Sequence, residues 1–141
     1  MSHNPRRVSE DGDVAMVLQG YEAWELGDID RAVAALHPDV EWIEPDEFSN
    51  GGRHRGRAAV ADYLRRSRVQ WSELTSERTA HRHGGDVVIV HHVLGRLVDG
   101  SAHDMTVADV YTVRGGQVVR MQAYADPSQA CHLTPDGSRR W

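Results

Sequence analysis

The C-terminal part of the chain alternates between apolar and polar residues in two runs that flank Gly115 and Gly116. Strand side chains alternate with period two, so Val107, Asp109 and Tyr111 in the first run point to one face. The pattern predicts a β-hairpin over residues 105–126. A three-residue loop with a glycine bulge would set Tyr111 and Asp109 beside the apolar parity of the second run, which comprises Val119, Met121, Ala123 and Ala125. The inner face is thus expected to be apolar with one carboxyl group in it.

The N-terminal part of the chain has helical spacing instead. After a polar stretch, residues 1–10, that is expected to be frayed, Asp11 or Asp13 can cap a helix that Gly27 ends. Its apolar positions lie three or four residues apart, at Val14, Val17, Leu18, Tyr21 and Trp24. Asp28 can cap a second, short helix closed by His37-Pro38, with apolar positions Ile29, Ala32, Val33 and Leu36.

The period changes to two in the segment that follows. Val40, Trp42 and Glu44 share one strand face, and Pro45 ends the strand because proline lacks a backbone donor. Residues 46–56 are rich in turn formers and predict a loop, and the next apolar positions predict a helix through Ala59, Val60, Tyr63 and Leu64. Strands are predicted over residues 71–83 and 87–98, separated by a Gly-Gly turn. Helices followed by antiparallel strands indicate an α+β domain.

Composition narrows the class of protein. With 141 residues the chain fits a single domain, residues 1–141, with a core over about 14–130. The net charge of −5 and the absence of basic runs argue against a nucleic-acid partner. No apolar run approaches the roughly 18 residues of a membrane span. We therefore expect a soluble, cytoplasmic protein.

Two acids lie on apolar strand faces, Glu44 and Asp109. A carboxyl moved from water into an apolar cavity has its charged form disfavoured, and two carboxyls in one site raise one pKa further. One acid can then serve as a base and the other as an acid. A three-residue loop at residues 99–101 would pair His91 with Asp109, whereas a two-residue loop would set His91 opposite Ala108.

Four features together resemble the SnoaL-like branch of the NTF2-like superfamily. They are the helix pair ending Leu-Gly-Asp-Ile-Asp, the strand ending Glu44-Pro45, the His54-Arg55-Gly56-Arg57 turn into the third helix, and the hairpin VYTVRGGQVVRMQAYAD. The resemblance covers residues 14–130. It implies an NTF2-like cone, in which N-terminal helices pack on a strongly curved antiparallel sheet around a pocket.

The resemblance also implies roles for particular residues. In ketosteroid isomerase of this superfamily, one catalytic carboxylate matches Glu44 and a second, protonated acid matches Asp109, while its helix tyrosine aligns with Gly20, next to Tyr21. We predict Glu44 as general base, Asp109 as general acid or oxyanion donor and His91 as an auxiliary group. The predicted substrate-binding residues are Trp42, Tyr111, Tyr21, Trp24, Tyr63, Val93, Val107, Met121 and Ala123.

The leading functional hypothesis is a cofactor-independent cyclase, isomerase or dehydratase that acts on a small apolar, polyketide-like intermediate. One alternative is a non-catalytic module that binds a small molecule, for which an apolar pocket suffices. Another is an epoxide-opening hydrolase or cyclase, or a pericyclase. Limonene-type epoxide hydrolases use an Asp-Arg-Asp set at positions that carry His91, Val93 and Ala123 here, which disfavours their usual mechanism.

Two expectations concern partners. The pair His81 and His83 with Asp86 falls at a Gly-Gly turn instead of inside a strand, so no metal and no cofactor is expected. A homodimer is expected through the outer sheet face. The strand residues that point away from the pocket offer more apolar surface than a monomer usually exposes. These residues are Val88, Val90, Leu94, Ala108 and Val110.

Overall fold

The protein is described here by a computed structural model covering residues 5–46 and 51–130, with side chains from Gly12 onward. Residues 131–141 of the expected domain lie outside these ranges. The elements are α1 (Pro5–Glu25), α2 (Ile29–Ala32), β1 (Leu36–Glu44), β2 (Gly52–Arg55), α3 (Arg57–Val69), β3 (Trp71–His83), β4 (Asp86–Leu97), β5 (Ala102–Arg114), β6 (Gln117–Tyr124) and α4 (Pro127–Ala130). Within them no helix combines the length and the apolar character needed to cross a membrane.

The six strands form one mixed sheet in the order β2-β1-β6-β5-β4-β3. The α+β class and the curved sheet are as predicted, but the expectation of purely antiparallel strands is wrong at one pair, because β1 and β6 run parallel. The helix α3 carries the chain to the far edge of the sheet, and the meander from β3 to β6 returns it beside β1. The alternation of apolar and polar residues does not tell whether the returning strand runs parallel or antiparallel to β1.

The helices pack on the concave face and close the core. Val17 of α1 and Val60 of α3 are buried against Val40, Ile89 and Met121 of the sheet. The Trp24 indole Nε1 donates to the Leu64 carbonyl at 3.0 Å, which ties α1 to α3. Burial of this apolar area is the main source of stability, at about 25 cal/mol per Å².

The boundaries of α1 correct the sequence prediction at its N-terminal end and confirm it at its C-terminal end. The first helix begins at Pro5, not at Asp11 or Asp13, so the stretch expected to be frayed is largely helical. Proline is favoured in a first helical turn, where its missing N–H has no partner to lose. Gly27 ends the helix at φ 78°, and the Asp28 side chain accepts from the Arg31 N–H, both as predicted.

Two segments differ from the predicted elements. The second helix ends at Ala32, and Leu36, His37 and Pro38 belong to β1. Pro38 is tolerated there because pairing with β6 is interrupted between Leu36 and Glu41. The predicted loop over residues 46–56 contains the short strand β2, paired with β1 through its main-chain groups.

The hairpin of β5 and β6 has the predicted register but a different turn. Tyr111 pairs with Met121 and Asp109 with Ala123, as expected. The turn itself has two residues, since Arg114 pairs with Gln117 and both glycines have positive φ, 58° and 76°. The extra residue is Val119 inside β6, and Val118, not Val119, is buried on the inner face at 2% exposure.

The register between β4 and β5 matches neither alternative from the sequence. His91 lies opposite Val107, and Asp109 lies opposite Ile89. The Leu97 N–H donates to the Ser101 carbonyl at 2.9 Å, so the three-residue loop begins one residue earlier than predicted. A shift of two residues along the partner strand keeps His91 and Asp109 on one face, where they become diagonal neighbours.

The outer face of the sheet is less exposed than the sequence suggested. Val88, Ala108 and Val110 form a buried cluster with Ala130 of α4, which folds back over them. Leu94 remains exposed, at 42%. The expected exposure of this face is therefore wrong for three of its five residues, and the homodimer stays a prediction.

We expect Ala130→Asp to lower the free energy of unfolding by about 2 kcal/mol, because an unpaired charge cannot stay under this apolar cluster without detaching α4. Gln129→Asp is the matched control, since Gln129 is exposed on the same short helix. Urea denaturation measures both variants. Equal losses in the two variants would contradict the packing of α4 described here.

Candidate active site

A cavity of about 870 Å³ lies between the concave face of the sheet and the helices α1 and α3. Its wall contains both predicted acids, Glu44 and Asp109. It also contains most of the predicted site residues, namely Tyr21, Trp24, Trp42, Tyr63, His91, Val93, Val107 and Tyr111. Met121 and Ala123 are not part of the cavity wall: both are buried in the hydrophobic core.

Asp109 is held by side chains from two neighbouring elements, α1 and β4. It is 8% exposed, and its Oδ2 accepts a hydrogen bond from the Tyr21 hydroxyl of α1. The same oxygen lies 2.9 Å from Nε2 of His91 on β4. The Tyr111 hydroxyl, two residues along β5, donates to the Tyr21 hydroxyl at 2.9 Å. The two phenols therefore form a chain of donors that ends on Asp109.

Aromatic and cationic packing fixes the phenol of Tyr21. Its ring meets the rings of His91 and Tyr111 edge to face, at centroid distances of 5.3 and 6.1 Å. The guanidinium of Arg78 lies 5.3 Å from the Tyr21 centroid and forms an ion pair with Glu25. Burial raises the pKa of Tyr21 well above its usual value, and the nearby Asp109 charge acts in the same direction. Tyr21 is consequently a neutral donor at physiological pH.

Glu44, the second acid of the pair, lies at the end of β1. Its Oε1 accepts from the Trp42 indole Nε1 at 3.0 Å, and its side chain is also hydrogen-bonded with Tyr63 of α3. Loss of water and, to a smaller extent, the negative charge of Asp109 together raise the pKa of Glu44 from 4.5 to about 8, against the lowering effect of the two hydrogen bonds. The protonated form of Glu44 is therefore favoured at neutral pH.

The sequence identified the acids but not the groups that hold them. Trp42, Tyr63 and Tyr21 were expected to line the pocket, whereas each also forms a hydrogen bond with an acid. The available signal was parity, since Trp42 lies two residues before Glu44 on the same strand face. The resemblance aligned the isomerase tyrosine with Gly20, and in the structure the hydroxyl comes from Tyr21, one residue on.

The described ranges contain no group of three or more histidine, cysteine, aspartate or glutamate side chains arranged to hold a metal ion. His81 and His83 stack with ring centroids 6.4 Å apart, near the end of β3.

The sequence matches a family of known domains and resembles a known protein. A model of the SnoaL-like domain matches residues 17–121. An uncharacterised protein of Mycobacterium tuberculosis, Rv0034, is 26% identical over 125 residues, which cover 86% of this chain and 95% of that protein.

Solved structures share the fold. An NTF2-like protein of unknown function from Burkholderia pseudomallei is 23% identical with a TM-score of 0.73, covering 88% of this chain and 98% of that one. TerC, crystallised with polyporic acid, is 21% identical with a TM-score of 0.70, covering 86% and 97%. A candidate polyketide cyclase from Xanthomonas campestris is 23% identical with a TM-score of 0.64, covering 85% and 94%. These likenesses confirm the predicted NTF2-like fold.

The raised pKa of Glu44 makes stability depend on pH. The folded chain binds the Glu44 proton more tightly than the unfolded chain, so this contribution is fully present below pH 4.5 and is lost as pH rises through about 8. We expect Glu44→Gln to remove a slope of up to about 1.4 kcal/mol per pH unit across that window. Chemical denaturation at a series of pH values measures the free energy of unfolding of wild type and variant. In the difference between the two, the pH dependence that comes from the histidines cancels.

Glu73→Gln is the control for this slope, because Glu73 is exposed on β3. A wild-type slope that persists in Glu44→Gln would contradict the burial of Glu44 beside Asp109.

Proposed function

The chain belongs to the SnoaL-like domain family, and we propose that it is a cofactor-independent enzyme that moves protons on a small, mainly apolar, polyketide-like substrate. Cyclisation, isomerisation and dehydration share such proton transfers. The single observation that supports the proposal is the placement of two electrostatically coupled carboxyls, Glu44 and Asp109, on the wall of one cavity. Burying two such groups costs free energy, and acids with shifted pKa values cluster at functional sites.

The hydrogen bonds favour a definite division of labour between the acids. Asp109 accepts from Tyr21 and contacts His91, so it is arranged as the proton acceptor. Glu44 has the raised pKa and is arranged as the proton donor. This assignment reverses the roles expected from the sequence, where Glu44 was the base and Asp109 the acid.

The proposed step conserves protons. Asp109 removes a proton from a carbon next to a substrate carbonyl. The electron pair of the broken C–H bond forms a carbon–carbon double bond, and the π pair of the carbonyl moves to its oxygen. Glu44 gives its proton to that oxygen, or to a leaving hydroxyl that departs as water. The two acids then exchange protons with solvent or with the product to restore the starting state. His91, whose Nδ1 lies 3.5 Å from the Ser76 hydroxyl, assists Asp109 as an auxiliary group.

The cavity's lining supports the substrate class. Val93, Val107 and Leu74 supply apolar wall, and Trp42 and Tyr111 supply aromatic edges, so a flat, apolar molecule is favoured over a highly charged one. Two proteins of the same fold support this choice, one crystallised with polyporic acid and one described as a candidate polyketide cyclase.

Proton abstraction can be tested without the natural substrate by following hydrogen–deuterium exchange at the carbon beside the carbonyl of α-tetralone in D₂O by NMR. We expect the wild type to exceed the buffer rate, and Glu44→Gln and Asp109→Asn each to reduce the enzymatic rate by a factor of about 10² to 10⁴. Glu41→Gln is the matched control, because Glu41 pairs with Arg53 on the opposite face of β1. A wild-type rate equal to buffer would contradict the proposal and favour a non-catalytic binding module.

The donor chain to Asp109 predicts a separate effect. Tyr21→Phe keeps the ring but removes the hydroxyl that donates to Asp109, so we expect the exchange rate to fall by about 10- to 100-fold, the usual value of a hydrogen bond to a charged group. Tyr124→Phe, on the outer sheet face, is expected to exchange at the wild-type rate. Equal rates for Tyr21→Phe and wild type would remove Tyr21 from the mechanism.

A further inference from the structure

The cavity continues well beyond the acid pair. Its wall follows one face of β5 from Asp109 through Val107 and Met105 to His103 and Ser101, in steps of two residues. At about 3.3 Å per residue, roughly 20 Å separate Asp109 from His103 along the strand. A substrate that touches only the two acids would leave the far part of this cavity unfilled.

The far end carries its own polar groups, at the turn between β4 and β5. Asp99 Oδ1 accepts from the Ser101 hydroxyl at 2.6 Å and from the Ser101 N–H at 2.8 Å. His103 Nε2 lies 3.3 Å from the Ser101 oxygen. Because the hydroxyl proton points to Asp99, the three residues do not form a nucleophile with its base. Both hydrogen bonds from Ser101 end on Oδ1, and neither uses the second carboxylate oxygen of Asp99.

An aromatic ring completes this end. The Trp71 indole lies against the backbone of β4 at Gly95, where an added Cβ would fall 2.9 Å from the ring. The same indole meets the His103 ring edge to face, at 5.6 Å. The hydrogen bonds from Ser101 lower the pKa of Asp99, so its carboxylate stays negative at neutral pH. A negative charge and an indole at one end of a cavity suit a cationic group.

We propose that Asp99, Ser101, His103 and Trp71 form a second subsite that binds an ammonium head group of an elongated substrate. The apolar stretch between the two ends, which includes Leu74, Val93 and Leu97, holds the middle of that substrate. The inference rests on the proposed function in placing the reacting end at Glu44 and Asp109. It narrows the substrate class to molecules with a carbonyl-bearing end, an apolar middle and a basic amine.

The binding test uses two matched probes, 8-(naphthalen-2-yloxy)octan-1-amine and the corresponding methyl ether, titrated calorimetrically against the wild type. We expect the amine to bind about 5- to 10-fold more tightly, a modest preference because Asp99 is solvent-exposed. Asp99→Asn should abolish the preference while keeping the turn, since an amide oxygen still accepts from the Ser101 N–H. Binding of the amine should change the backbone NMR chemical shifts of Ser101 and His103.

Asp104→Asn is the matched control: it removes the same charge nearby, but Asp104 pairs with His92 and lies off this cavity. The preference should survive in Asp104→Asn and also in Glu44→Gln. Equal binding of the two probes, absence of binding, or equal effects of Asp99→Asn and Asp104→Asn would overturn the subsite. Those outcomes leave the proposed function standing, because α-tetralone needs only the acid end.

Discussion

The burial of two interacting carboxyls on the wall of one cavity is the constraint on which the site depends. Glu44 and Asp109 arrive from strands that are far apart in sequence and meet because the meander returns β6 beside β1. Loss of water raises the pKa of Glu44 most, and the nearby Asp109 charge raises it as well, so Glu44 retains its proton at neutral pH. The donors around the pair, Tyr21 and Trp42, then determine which oxygen atoms accept hydrogen bonds and which remain for a ligand.

The scaffold holds these donors through contacts at its edge. The ion pair of Glu25 with Arg78, and that of Asp13 with Arg82 at 3.5 Å, attach α1 to the edge strand β3. Both pairs are partly buried, where an ion pair is screened less than on the surface. Their consequence is positional: α1 is fixed along its length, and the Tyr21 hydroxyl reaches Asp109 across the helix–sheet boundary.

Strand parity explains how much of the site could be predicted from sequence. Glu44, Trp42, Asp109 and Tyr111 were placed on inner faces because parity survives any register error of two residues, and His91 reached Asp109 in spite of such an error. Parity also fails in a defined way. The bulge at Val119 reverses the alternation of inner and outer faces in the part of β6 next to the turn. Val118 is therefore buried on the inner face in place of Val119.

Long-range features were beyond the sequence pattern. The parallel pairing of β1 with β6 and the folding of α4 over Val88 depend on where the chain returns after a connection, which periodicity does not record. Likewise, the raised pKa of Glu44 and the length of the cavity follow from elements that meet only in the fold.

The most direct test of the account is a carbon-13 NMR titration of the Glu44 side-chain carboxyl in wild type and in Asp109→Asn. If the two acids share a site, Glu44 titrates near pH 8 in the wild type and at a lower pH once the Asp109 charge is removed. A Glu44 titration near pH 4.5 that does not respond to Asp109→Asn would contradict the account.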